Sequence, residues 1–151
     1  MKLDKYPYCF LSQLRSGAIV LALLKIFSAV NAADWPEWRG PHSSNAIEET
    51  GFPVQWTAED NIRWKLELPD RGNSSPIVVD GKVIITQAIE KEHRRMTMAF
   101  DRHTGKLLWQ KEITYNQKES THPQNPYCAA SPTTDGERIV STYGSAGVYA
   151  Y

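Results

Sequence analysis

The sequence predicts an all-β fold built of four-stranded antiparallel sheets that repeat along the chain. Three observations carry this expectation: short apolar segments punctuated by Gly, Asn and Asp turns, no amphipathic helical period, and one strand-turn-strand pattern that occurs twice. Self-similarity at a spacing of about 45 to 55 residues, with four strands per unit, is the signature of a β-propeller in which each sheet is a blade.

In chain order, the first 32 residues differ in composition from the rest. Lys2, Lys5 and Arg15 precede a mostly apolar run from Ala18 to Val30, which ends in Val30-Asn31-Ala32. That is the layout of a signal peptide. Val30 and Ala32 suit the shallow pockets of a signal peptidase, so cleavage is expected after Ala32 and the mature N-terminus at Ala33. A membrane anchor is the competing reading, but Lys25 interrupts the run, which falls short of the about 20 helical residues that span a bilayer core. Cys9 lies before the apolar run, so no lipoprotein cleavage site is read there. The expected location is periplasmic or secreted, with no membrane span after cleavage.

The 151 residues carry 17 basic and 17 acidic side chains, with 41% hydrophobic and 23% charged content, as in ordinary globular proteins. No Lys/Arg stripe offers the footprint that phosphate-backbone binding requires, which argues against nucleic acid as a partner. Removing Lys2, Lys5, Arg15 and Lys25 against Asp4 leaves 13 basic and 16 acidic residues in the mature segment, which is mildly acidic. Cys128 is its one cysteine, so no disulfide can form within it; a buried, inert thiol is expected.

The mature segment opens on Asp34-Trp35-Pro36-Glu37-Trp38-Arg39-Gly40-Pro41. Strands are expected at 77–79 and 83–86, joined by Asp80-Gly81, a dipeptide that tolerates the positive φ of a tight hairpin. The next pair, 96–100 and 106–113, flanks Asp101-Arg102-His103-Thr104-Gly105. There Asp101 can accept backbone hydrogen bonds and Gly105 can turn left-handed. Ser75–Thr86 then recurs as Ser131–Thr142 with one residue deleted before Asp135, and Met98-Ala99-Phe100 recurs as Tyr149-Ala150-Tyr151. Residues 33–151 are thus read as an N-terminal strand, one complete blade and most of a second. Isolated from further blades, this segment is expected to fold only partially or to aggregate.

Ala99-Phe100-Asp101-Arg102-His103-Thr104-Gly105-Lys106-Leu107-Leu108-Trp109 resembles the tryptophan-docking repeat of the pyrroloquinoline-quinone (PQQ)-like, or quinoprotein, propellers. In that motif an Ala-x-Asp strand end leads through a Thr-Gly turn to a Trp packed between neighbouring blades. The resemblance implies structural docking and turn roles for Asp101, Thr104, Gly105 and Trp109. Trp64, in Ile62-Arg63-Trp64-Lys65-Leu66, resembles the same docking position on an N-terminal strand that helps to close the ring. Trp35, Trp38, Arg39-Gly40-Pro41, Asn73-Ser74-Ser75-Pro76, His122-Pro123-Gln124-Asn125-Pro126-Tyr127 and Gly144-Ser145-Ala146-Gly147 look like a secreted, planctomycete-type branch. The family includes dehydrogenases that bind PQQ and calcium and a scaffold lipoprotein that does not. The adjacent cysteines frequent in the dehydrogenases and the anchoring cysteine of the lipoprotein are both missing from this sequence.

No motif supplies a calcium loop, and His42, His93, His103 and His122 lack paired zinc spacing, so solvated loop and turn roles are expected for them. Ser43, Ser44, Ser74 and Ser75 lack a nucleophile elbow. Tyr115–Tyr127 exceeds what a blade needs. It is either a crossover stiffened by Pro123 and Pro126 or a binding loop using His122, Asn125 and Tyr127. The expected function is a noncatalytic exported propeller that binds a protein or glycan partner and shows no evident cofactor. The alternative is a PQQ- and calcium-dependent oxidoreductase of alcohols or sugars, with its active site mostly outside this sequence.

Overall fold

The computed structural model describes residues 33–151, which belong to a unit spanning Asn31–Tyr151. The signal peptide and cleavage point read over residues 1–32 lie outside the described residues. The described chain is all-β, with two antiparallel sheets, three short 3-10 turns and no α-helix. The first sheet runs in the order β1 (Ile77–Val79), β2 (Lys82–Ile89), β3 (Arg94–Asp101) and β4 (Leu107–Thr114); the second comprises β5 (Thr133–Thr134), β6 (Ile139–Thr142) and β7 (Val148–Ala150). The sequence repeat is therefore a structural one: β5, β6 and β7 succeed one another as β1, β2 and β3 do. Within the described residues the two sheets do not form a closed ring.

Local chemistry explains the turns. Val79 pairs with Lys82, so Asp80 and Gly81 are the whole loop, and their φ values of 47° and 69° give it the left-handed backbone that matches strand twist. Lys82 Nζ holds the Asp80 carboxylate at 2.5 Å, which lowers the Asp80 pKa. Between β3 and β4 the register slips by one residue at Ala99/Phe100, because Ala99 pairs with Trp109 and Phe100 with Leu107. Leu108 is the extra residue of this bulge.

Alternation sorts β2 and β3 onto two buried faces. The register Ile77–Ile84–Ala99–Trp109 places one residue from each strand in a single row, which packs with Val79 and meets Ile139 of β6. On the other face, Ile85, Met96, Met98 and Phe100 cluster with Ile89. Burying an aliphatic or aromatic side chain of this kind contributes roughly 1.5 to 3 kcal/mol. Polar contacts also join the sheets: Thr97 Oγ1 lies 2.7 Å from Ser141 Oγ and 2.6 Å from Tyr143 Oη, with all three residues buried.

The opening segment links the leading strands of both sheets. Trp35 exchanges two backbone hydrogen bonds with Val78 (2.7 and 2.8 Å), while Pro36 O accepts from Thr134 N at 3.2 Å. The central strands are longer than their apolar patterns predict. Thr86 and Gln87 continue β2 because their side chains find partners: Thr86 Oγ1 lies 2.9 Å from Cys128 O and 2.8 Å from Ala130 O, and Gln87 Nε2 donates to Asp70 O and Arg71 O. The strand expected around Trp64 is not formed. Residues 62–68 make no backbone hydrogen bonds among the described residues, and without a neighbour an extended segment is not a strand.

Candidate functional site

The repeat-motif residues assemble at the turn between β3 and β4. Asp101 Oδ1 accepts from Thr104 Oγ1 (2.8 Å), Thr104 N (2.7 Å) and His103 N (3.0 Å). The Thr104 hydroxyl and then the Thr104 amide lower the carboxyl pKa, since these bonds favour the charged form. Asp101 N and Gly105 N close the turn with bonds to Lys106 O and Asp101 O. Trp64 covers it: its indole N–H donates to Arg102 O at 2.9 Å, and its ring lies where a Cβ on Gly105 would come within 2.7 Å. Gly105 also has a φ of 71°, so conformation and contact both call for glycine. Next to them, Arg63 Nη1 meets His103 Nδ1 at 2.8 Å, which gives that nitrogen the acceptor role.

Trp109 is not part of this cluster. It is half-buried in the row facing β6, with its ring centroid 6.5 Å from that of Tyr151. A cleft of about 470 Å³ lies along this contact, floored by Ile84, Trp109, Ile139 and Tyr151 and edged by Asp80, Lys82, Lys111 and Glu137.

The long loop gathers at the opposite end of the first sheet, where Tyr115 N bonds His93 O. Arg71 Nη1 donates to Pro123 O and Asn73 Nδ2 to Gln124 O, each at 2.5 Å, and Tyr127 Oη donates to Glu119 O at 2.9 Å. Ser145 N reaches from the β6–β7 connection to Glu119 Oε1 at 2.8 Å, and hydrogen bonds from Ser145 lower the Glu119 pKa. The loop is thereby fixed along its length. His122 and Asn125 are exposed; His122 O accepts from Asn125 N, and His122 Nδ1 accepts from Gln124 N. Pro126 and Cys128 are buried, and burial raises the thiol pKa of Cys128.

Beneath the loop lies a residue that the sequence pattern does not single out. Arg95 is 1% exposed, its guanidinium carbon sits 4.0 Å from the centre of the Tyr127 ring, and Nη1 makes a 3.3 Å bond to Arg94 O. Among the described residues Nε has no hydrogen-bond partner, and the nearby Glu119 carboxylate acts on the guanidinium only through space, without a direct ion pair. A buried guanidinium held this sparingly costs more in lost hydration than the ring contact returns. Arg95→Met, which keeps the stem and removes the charge, is therefore expected to leave stability unchanged or raise it by about 1 kcal/mol. Urea denaturation checks this; a loss above about 2 kcal/mol would give the charge a stabilising role.

Among the described residues no group of three or more His, Cys, Asp or Glu side chains could hold a metal, and no helix is long and apolar enough to cross a membrane. No protein-family model and no curated protein matches the chain.

Proposed function

We propose that this chain belongs to an exported, noncatalytic β-propeller of the quinoprotein-like repeat type, serving as a binding or scaffold module for a protein or glycan partner. The observation that carries this reading is the division of labour between the two ends of the first sheet. At one end Asp101, Thr104 and Gly105 are used up in a turn that supports Trp64, as expected of a docking repeat and not of a catalytic carboxylate. At the other, a long loop is fixed by Arg71, Asn73 and Glu119 while the His122 and Asn125 side chains face solvent. A loop already ordered before binding loses little entropy when it meets a partner.

The test takes the full chain to an array of immobilised neutral and acidic oligosaccharides, and separately to PQQ with calcium. A retained oligosaccharide should bind at least about tenfold more weakly to His122→Ala/Asn125→Ala, a loss of about 1.4 kcal/mol. The melting temperature should hold, because both side chains are exposed. Calcium-dependent PQQ binding with dye reduction would overturn the proposal, as would a retained oligosaccharide whose affinity ignores the loop substitutions.

A further inference from the structure

We propose that Arg95 is the positioning residue of the long loop: its buried guanidinium fixes the neck of the lobe between Glu119 and Tyr127, and with it the direction in which His122 and Asn125 are presented. The inference rests on the reading of that loop as the binding surface.

The lobe is closed on itself. Tyr127 Oη donates to Glu119 O at 2.9 Å and accepts from Glu119 N at 3.3 Å, so one phenol spans the two limbs. His122 and Asn125 lie between them, where Asn125 N bonds His122 O at 2.8 Å to turn the tip. Arg95 sits under the neck. Its guanidinium carbon is 4.0 Å from the centre of the Tyr127 ring, and its charge also acts on Glu119. That carboxylate is held below the ordinary range first by hydrogen bonds from Ser145 and further by Arg95. A single side chain thus meets the ring of one limb and draws on the carboxylate of the other. With its face on the guanidinium and its hydroxyl on the Glu119 backbone, the Tyr127 ring cannot turn without losing one of the two.

The anchor belongs to the sheet, not to the loop. Arg95 pairs with Ala88 of β2 and with Ile113 of β4, in the interior of the first sheet. Thr86 Oγ1, from the neighbouring strand, accounts for the main chain at Cys128 O, which leaves the Tyr127 ring to Arg95. At 1% exposure an aliphatic side chain would serve burial better. It would, however, give the ring no preferred face and exert no pull on Glu119, whereas a planar cation does both. The charge therefore costs stability and secures one loop geometry, the pattern of a group retained for binding at the expense of the fold.

Hydrogen exchange of the full chain, followed amide by amide by NMR, is the test and requires no ligand. In Arg95→Met the amides of Glu119 and Ser145, which donate to Tyr127 Oη and Glu119 Oε1, should exchange at least about tenfold faster than in the parent, while the amides of β2 and β3 keep their protection. Arg95→Lys, which retains a cation able to sit over the ring, should recover part of the lost protection. Any oligosaccharide retained by the parent should bind Arg95→Met at least about tenfold more weakly, although the substituted residue is buried. Unchanged exchange at both amides in Arg95→Met would overturn the proposal, and so would protection lost throughout the sheet, which would assign the guanidinium to the fold. A folded Arg95→Lys that exchanges as fast as Arg95→Met would do the same. If Arg95→Lys does not fold, a double-mutant cycle decides: Tyr127→Leu should speed exchange at Ser145, and adding Arg95→Met should change it by less than about threefold, whereas effects that multiply would refute the coupling. Should no oligosaccharide be retained, the reading of the loop as a glycan surface fails, and the exchange data still decide whether Arg95 positions it.

Discussion

Replacing Trp109 by alanine should lower the unfolding free energy by about 2 to 3 kcal/mol, somewhat below the about 3 to 5 kcal/mol typical of a fully enclosed aromatic. The reduction follows from its position. Trp109 ends the row Ile77–Ile84–Ala99 and contributes to the contact with Ile139, yet it is only half-buried and borders the cleft between the sheets. Truncation removes the indole from both sheets at once and widens the cleft beside Tyr151. Trp109→Phe should recover roughly half of the loss by refilling most of the apolar volume. Equilibrium denaturation of the three proteins at one concentration provides the measurement. An unchanged midpoint for Trp109→Ala would mean that the indole does not join the sheets.

The turns are legible in the sequence because few residues can serve in them. Asp80-Gly81 satisfies two positive φ values, and Asp101-x-x-Thr104-Gly105 supplies an acceptor, a hydroxyl and a left-handed residue in a fixed order. The doubled Ser-Pro and Asp-Gly pattern likewise gives the order of β1 to β3 and of β5 to β7. Strand lengths are harder to read. Thr86, Gln87, Arg94 and Arg95 resemble strand ends, and only partners distant in sequence, such as Cys128 O and Asp70 O, make them interior. Arg95 illustrates the limit most clearly, since a charged residue in an alternating strand reads as solvent-facing until a loop more than twenty residues away covers it with Tyr127. Trp64 shows the converse case. Its indole is docked as the motif leads one to expect, but the strand around it depends on a neighbour that the described residues do not supply.

Thr97→Val should cost about 2 to 3 kcal/mol, although it exchanges side chains of nearly equal volume. One hydroxyl serves both Ser141 Oγ and Tyr143 Oη across the junction of the sheets, so its loss strips two buried oxygens of a partner in a region closed to water. The same cluster should make the fold sensitive to alkali. Burial raises the Tyr143 phenol to about 12, against an ordinary value of 10.0, with the Thr97 hydrogen bond acting in the opposite direction. Because the folded state favours the neutral phenol, this contribution is whole below about pH 10, where the unfolded tyrosine begins to ionise, and is lost as pH climbs towards 12. The decline should approach about 1.4 kcal/mol per pH unit within that window. Tyr143→Phe should flatten the window relative to the parent protein, while Thr97→Val should keep it at lower overall stability. Urea denaturation at a series of alkaline pH values separates these outcomes. If Tyr143→Phe declines as steeply as the parent between pH 10 and 12, the buried phenol is not the group responsible, and the hydroxyl cluster loses its place as the polar link between the two sheets.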